Sequence, residues 1–89
     1  MTPERYDKLK FDLWMALNAV RHADWFTAQL FRLFNKADSN NRLKLMRSFP
    51  DEYQVYQDWA QSPNENAFYG EDLISRGKKE RTDMQDPRT

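Results

Sequence analysis

The sequence predicts an all-α protein, and three observations predict it. Apolar side chains recur at three- and four-residue steps along most of the chain. Only two glycines, Gly70 and Gly77, interrupt it, both late. Neither a hairpin dipeptide such as Asn-Gly nor a long apolar–polar alternation is present. The reading is a bundle of four principal helices with a short fifth, forming a single domain over 1–76. A flexible, disordered charged tail is expected over 77–89.

The first helix opens with Thr2 as N-cap, Pro3 at the first helical position and Glu4 in the first turn, where the helix dipole favours an acid. Tyr6, Leu9, Leu13, Leu17 and Val20 then mark one stripe, widened by Trp14 and Ala16. The helix is expected to run to about Arg21. "RHAD" reads as a turn, with Asp24 capping a second helix whose apolar positions are Phe26, Leu30, Leu33, Phe34 and Ala37, flanked by Trp25 and Phe31. One continuous helix across this turn is the alternative; helices that long are uncommon in compact domains.

"KADSNNR" is a firmer boundary. Asp38 or Ser39 caps a short third helix with Leu43, Met46 and Leu45 inward. It stops near Phe49, since the residue before a proline is pushed out of the α region, and Pro50 starts the fourth helix. In "PDEYQVYQDW" the rings at Tyr53, Tyr56 and Trp59, with Ala60, share a face expected to be mainly core, whereas Val55 and Gln57 point elsewhere. Asn64 caps a final short helix through Ala67, Phe68, Leu73 and Ile74, weakened by Gly70. Phe68 and Tyr69 are adjacent, so one helix face should not bury both.

The 89 residues contain no cysteine, which excludes disulfides, thiolate metal sites and cysteine nucleophiles. Thirteen rings (six Phe, four Tyr, three Trp) supply a core without such staples. The charged N-terminal stretch lacks the apolar run of a secretory signal, and a cytoplasmic location is expected. His22 is the only histidine; beside Asp24 it has the makings of a general base, but a turn position reads more simply as an exposed side chain. No metal-ligand spacing, phosphate loop or nucleophile motif is present. Neither an enzyme, a cofactor nor a metal is expected.

Net charge is zero, but the distribution is polarised. Residues 21–49 hold six bases (Arg21, Arg32, Lys36, Arg42, Lys44, Arg47) against Asp24 and Asp38. Residues 50–75 hold six acids (Asp51, Glu52, Asp58, Glu65, Glu71, Asp72) and no base. An acidic surface bearing rings suits a basic protein partner and steers its approach. The expected contact residues are Asp51, Glu52, Tyr56, Asp58, Tyr69, Glu71 and Asp72. The alternative is a nucleotide or nucleic-acid binder using Arg32, Lys36, Arg42, Lys44 and Arg47. A third arrangement pairs the acidic block with the basic segment, either by folding back within one molecule or across a head-to-tail homodimer.

Over Lys36 to Pro63, the sequence resembles small helical proteins encoded by bacteriophages and prophages. The resemblance rests on Ala37, Asp38, Asn41, Arg42, Leu43, Phe49, Pro50, Glu52 and Trp59. It implies a setting more than an activity: many such proteins bind and block a host protein, anti-CRISPR proteins among them. The expected function is therefore a non-enzymatic inhibitor of a host defence or nucleic-acid-processing protein.

Overall fold

The computed structural model describes residues 1–19 and 22–85, and among these every regular element is helical. Six helices follow in order: α1 Pro3–Asn18, α2 Phe26–Lys36, α3 Ser39–Ser48, α4 Pro50–Gln61, α5 Glu65–Tyr69 and α6 Glu71–Gln85. The all-α class holds, while the number of helices exceeds the expected four and a short fifth. Among the described residues no helix is long and apolar enough to cross a membrane.

Three of the expected caps are formed. Thr2 Oγ1 accepts from the Arg5 amide at 3.1 Å, Asp38 Oδ1 from Asn41 at 2.9 Å, and Asn64 Oδ1 from Ala67 at 2.8 Å. Phe49 ends α3 and Pro50 opens α4 as its spacing requires. Asp24 does not cap α2; Trp25 occupies the N-cap position without a side-chain cap bond. The indole of Trp25 instead turns towards α1, where its Nε1 donates to Asp12 Oδ1 at 3.3 Å. The α1 helix stops at Asn18, short of the expected end; Val20 and Arg21 lie outside the described residues.

Helix α1 is the hub. It packs against α2, α4, α5 and α6, which is why Leu9, Leu13, Trp14, Met15 and Ala16 are all buried rather than one narrow stripe. From α2 come Ala28, Leu30, Phe31 and Phe34, from α4 Val55 and Tyr56, and from α6 Leu73. Phe34 meets the rings of Phe31, Tyr53 and Tyr56 at centroid distances of 5.9, 5.6 and 5.6 Å, in tilted or edge-on geometry. Such pairs add about 0.5–1.5 kcal/mol each beyond their buried area.

Several burial expectations are corrected. Val55, expected to face away, is fully buried, and Ala60 is exposed. Phe68 and Tyr69 are both buried although adjacent, because the single-turn α5 is wedged among α1, α4 and α6 and has more than one face covered. Gly70, at φ +84°, turns the chain so sharply that the expected final helix becomes two.

The largest correction concerns the tail. Residues 77–85 are the second half of α6 rather than a disordered segment; residues 86–89 lie outside those described. Gly77 lies flat against the Trp14 ring, so close that a Cβ would fall 2.6 Å from Cε3. Arg81 stacks over the same indole at 5.4 Å and donates to the Asn18 carbonyl at 3.4 Å. Arg76 covers Phe11 at 5.7 Å and pairs with Asp7 at 3.4 Å. A helix with few apolar residues is thus held by arginines lying on the aromatic faces of α1.

Candidate partner-binding surfaces

The acidic block folds largely onto the molecule itself. Arg5, from the first turn of α1, reaches the first turn of α4: its Nε bonds Asp51 Oδ2 and its Nη2 bonds Glu52 Oε2, each at 3.1 Å. These acids also sit where the α4 dipole favours them. Asp58, two turns on, accepts from Tyr6 Oη at 2.5 Å and from Gln54 Nε2 at 2.9 Å. Burial, then the hydrogen bond and charge of Asp58, push the Tyr6 phenol up to about 12.

The tyrosines assigned to that surface are inside. Tyr56 is buried and donates to Asn35 Oδ1 at 3.2 Å. Tyr69 is buried with its hydroxyl unpartnered among the described residues; burial first, then nearby Glu65, raise its pKa above the ordinary phenol value. Neither ring is available to a partner, which corrects that part of the expected site. Glu71 and Asp72 remain in the open on α6, Asp72 94% exposed even though Arg76 approaches it at 3.4 Å. The seven residues therefore divide into an inward-committed group on α4 and α5 and an exposed acidic pair on α6.

The basic segment divides too. Arg32 is half-buried and donates to the carbonyls of Ala16, at 3.1 Å, and Ala23. Ala16 lies in the last turn of α1, whose carbonyls lack helical partners. Arg42 donates through Nη2 to the Ala37 carbonyl at 3.2 Å, and its Nε is buried without a partner among the described residues. Lys36, Lys44 and Arg47 are exposed. Among the described residues, none of these five cations enters an ion pair.

What the sequence missed lies beside those lysines. Phe26, Leu33 and Leu43, all expected to face the core, are 66%, 48% and 48% exposed. The α3 helix packs on α4 and buries none of its residues. Between α2 and α3 runs an open groove in two depressions that share Leu33 and Leu45. One, of about 320 Å³, is walled by Phe26, Leu30 and Phe49; the other, of about 610 Å³, by Lys36, Asn41 and Lys44. The Phe26 and Phe49 rings, 5.7 Å apart, both line the smaller depression. A signal existed in the sequence: α2 carries Phe26, Leu30, Phe31, Leu33 and Phe34, too wide an apolar arc for one face to bury.

His22 is exposed in the turn after α1. Among the described residues no three His, Cys, Asp or Glu side chains gather as metal ligands would. Among the described residues the one carboxylate in the core is Asp12, held by Trp25 and by Lys8 at 3.4 Å; burial raises its pKa, with Lys8 and Trp25 opposing. Compared with protein-family models, with curated proteins and with solved structures, the chain matches none.

Proposed function

We propose that this chain is a non-enzymatic interaction protein whose partner docks on the exposed face of α2 and α3. The setting is that of the phage proteins it resembles, in which a small helical protein blocks a host protein. One observation carries the reading: the groove along which Phe26 and Leu33 lie open to solvent is also lined by Lys36 and Lys44, which have no ion-pair partner among the described residues. A small protein gains by covering such side chains, and contiguous apolar patches rimmed by polar groups mark interaction sites. The site thus moves from the acidic block, where Arg5 and Tyr6 already engage Asp51, Glu52 and Asp58, to the opposite sign of charge.

Affinity capture from bacterial lysate at low salt tests this with three baits: wild type, Leu33→Asp and Glu71→Lys/Asp72→Lys. A specific protein held by wild type and by the α6 variant but lost with Leu33→Asp, at unchanged melting temperature, supports the reading. Loss only with the α6 variant returns the site to the acids. No captured protein together with a salt-dependent gel shift favours nucleic acid, with Lys36, Lys44 and Arg47 as its remaining exposed contacts.

A further inference from the structure

The groove between α2 and α3 is selective in shape and sign, and resting on the docking reading above, we infer that its occupant is an acidic amphipathic helix from a different protein. The length fits. Phe26 to Lys36 spans ten helical steps, roughly 15 Å at about 1.5 Å each, the length of about three helical turns. On α2, Phe26, Leu30 and Leu33 stand at i, i+4 and i+7, and on α3 and its C-cap Leu45 and Phe49 stand at i and i+4. Two ridges with helical spacing offer gaps with the same spacing, into which apolar side chains at i, i+4 and i+7 of a third helix insert.

The sign follows from the rim. Of the five bases in residues 26–48, Lys36 and Lys44 line the groove, as does the one acid of that stretch, Asp38. Asp38 is engaged as the α3 N-cap. Lys36 on α2 and Lys44 on α3 both line the wider depression, so an entering helix with carboxylates flanking its apolar stripe meets a positive charge from each of the two helices. A helix with flanking lysines meets repulsion there.

A second copy of this chain does not supply that helix. Its acid-rich helices have their apolar side chains inside: Val55 and Tyr56 on α4, Phe68 and Tyr69 on α5, and Leu73 next to Glu71 and Asp72 on α6. Nucleic acid suits the groove less, because its floor is aliphatic and two of the five cations, Arg32 and Arg42, are bonded to backbone carbonyls.

The test uses a displayed library of helical peptides about four turns long, with leucines fixed at i, i+4 and i+7 and the flanking positions randomised. Selection on the full chain should enrich Asp and Glu at the flanks. The selected peptides should bind Lys36→Glu/Lys44→Glu roughly tenfold more weakly, and weaken further as salt rises. Leu33→Asp, a change at a half-exposed position, should abolish binding without lowering the melting temperature. Enrichment of Lys or Arg, absence of any selected binder, or binders indifferent to Leu33→Asp overturns the inference. So does a single-stranded oligonucleotide that displaces them, or a dimer in sedimentation that Leu33→Asp dissolves. Failure here with a lysate protein still lost by Leu33→Asp leaves the docking reading standing and removes only the acidic helix.

Discussion

Replacing Gly77 by alanine sets two effects of opposite sign against each other, and the packing of α6 decides between them. In an exposed helix interior Gly→Ala stabilises by about 1 kcal/mol, because glycine gives up more backbone freedom on folding. Here the added methyl would sit 2.6, 2.8 and 2.9 Å from three atoms of the Trp14 ring, well inside contact distance. The indole is a rigid plate, 3% exposed and packed between α6 and the core, so room for a methyl requires the whole plate or α6 to shift. Overpacking of this kind costs about 1–3 kcal/mol. The net expectation is a loss of about 1 kcal/mol, a fall in melting temperature of roughly 4–8 °C for a domain of this size. Thermal and urea unfolding followed by circular dichroism measure it. A melting temperature that rises on substitution would refute the reasoning, since it would mean that residues 77–85 do not lie on Trp14.

Asp12→Asn should change how stability depends on pH. Burial holds the folded carboxyl's pKa above the ordinary value of 3.8, so this side chain favours the fold most below that value and progressively less as pH rises through its folded pKa. The variant cannot ionise and should therefore gain on wild type as pH rises above 3.8 through the folded carboxyl's raised pKa; urea midpoints showing the opposite trend would refute it. Tyr56→Phe removes a hydroxyl bonded to Asn35 and should cost about 0.5–1.5 kcal/mol, whereas Tyr69→Phe removes one without a partner and should be neutral or stabilising. Equal losses in the two variants would mean that Tyr69 has a partner after all. Asp51→Lys/Glu52→Lys should lower the melting temperature by repelling Arg5, and adding Arg5→Glu should restore much of it; no rescue would mean that the α1–α4 pairing does not form in solution.

The sequence made the helical class, the 36–39 and 49–50 boundaries and three caps legible, because each rests on local chemistry: an oxygen three residues before an amide, a proline where no N–H is required. It did not reveal the length of α6. That helix depends on Arg76 and Arg81 lying on rings some 65 residues away, and a cation over an aromatic face leaves no apolar periodicity to read. The acidic block was visible as charge but not as a set of contacts, since Arg5 and Tyr6 come from the far end of the chain. Phe26, Leu33 and Leu43 were assigned inward because periodicity shows which side chains are apolar, not whether a neighbour covers them. The groove exists because α3 leans on α4 and leaves the wide apolar arc of α2 with no companion on one side.

The corner between the first two helices is clasped by one side chain. Two arms of the Arg32 fork hold the carbonyl oxygens of Ala16, in the last turn of the first helix, and of Ala23, ahead of the second, so a planar guanidinium ties the second helix to the end of the first. A lysine there would bring its three protons on one nitrogen, without the rigid planar fork that aims a separate arm at each carbonyl. Of the five bases in the segment, this is the one whose shape matters more than its charge, and the ridge that Phe26 and Leu33 present to the outside is aimed by it.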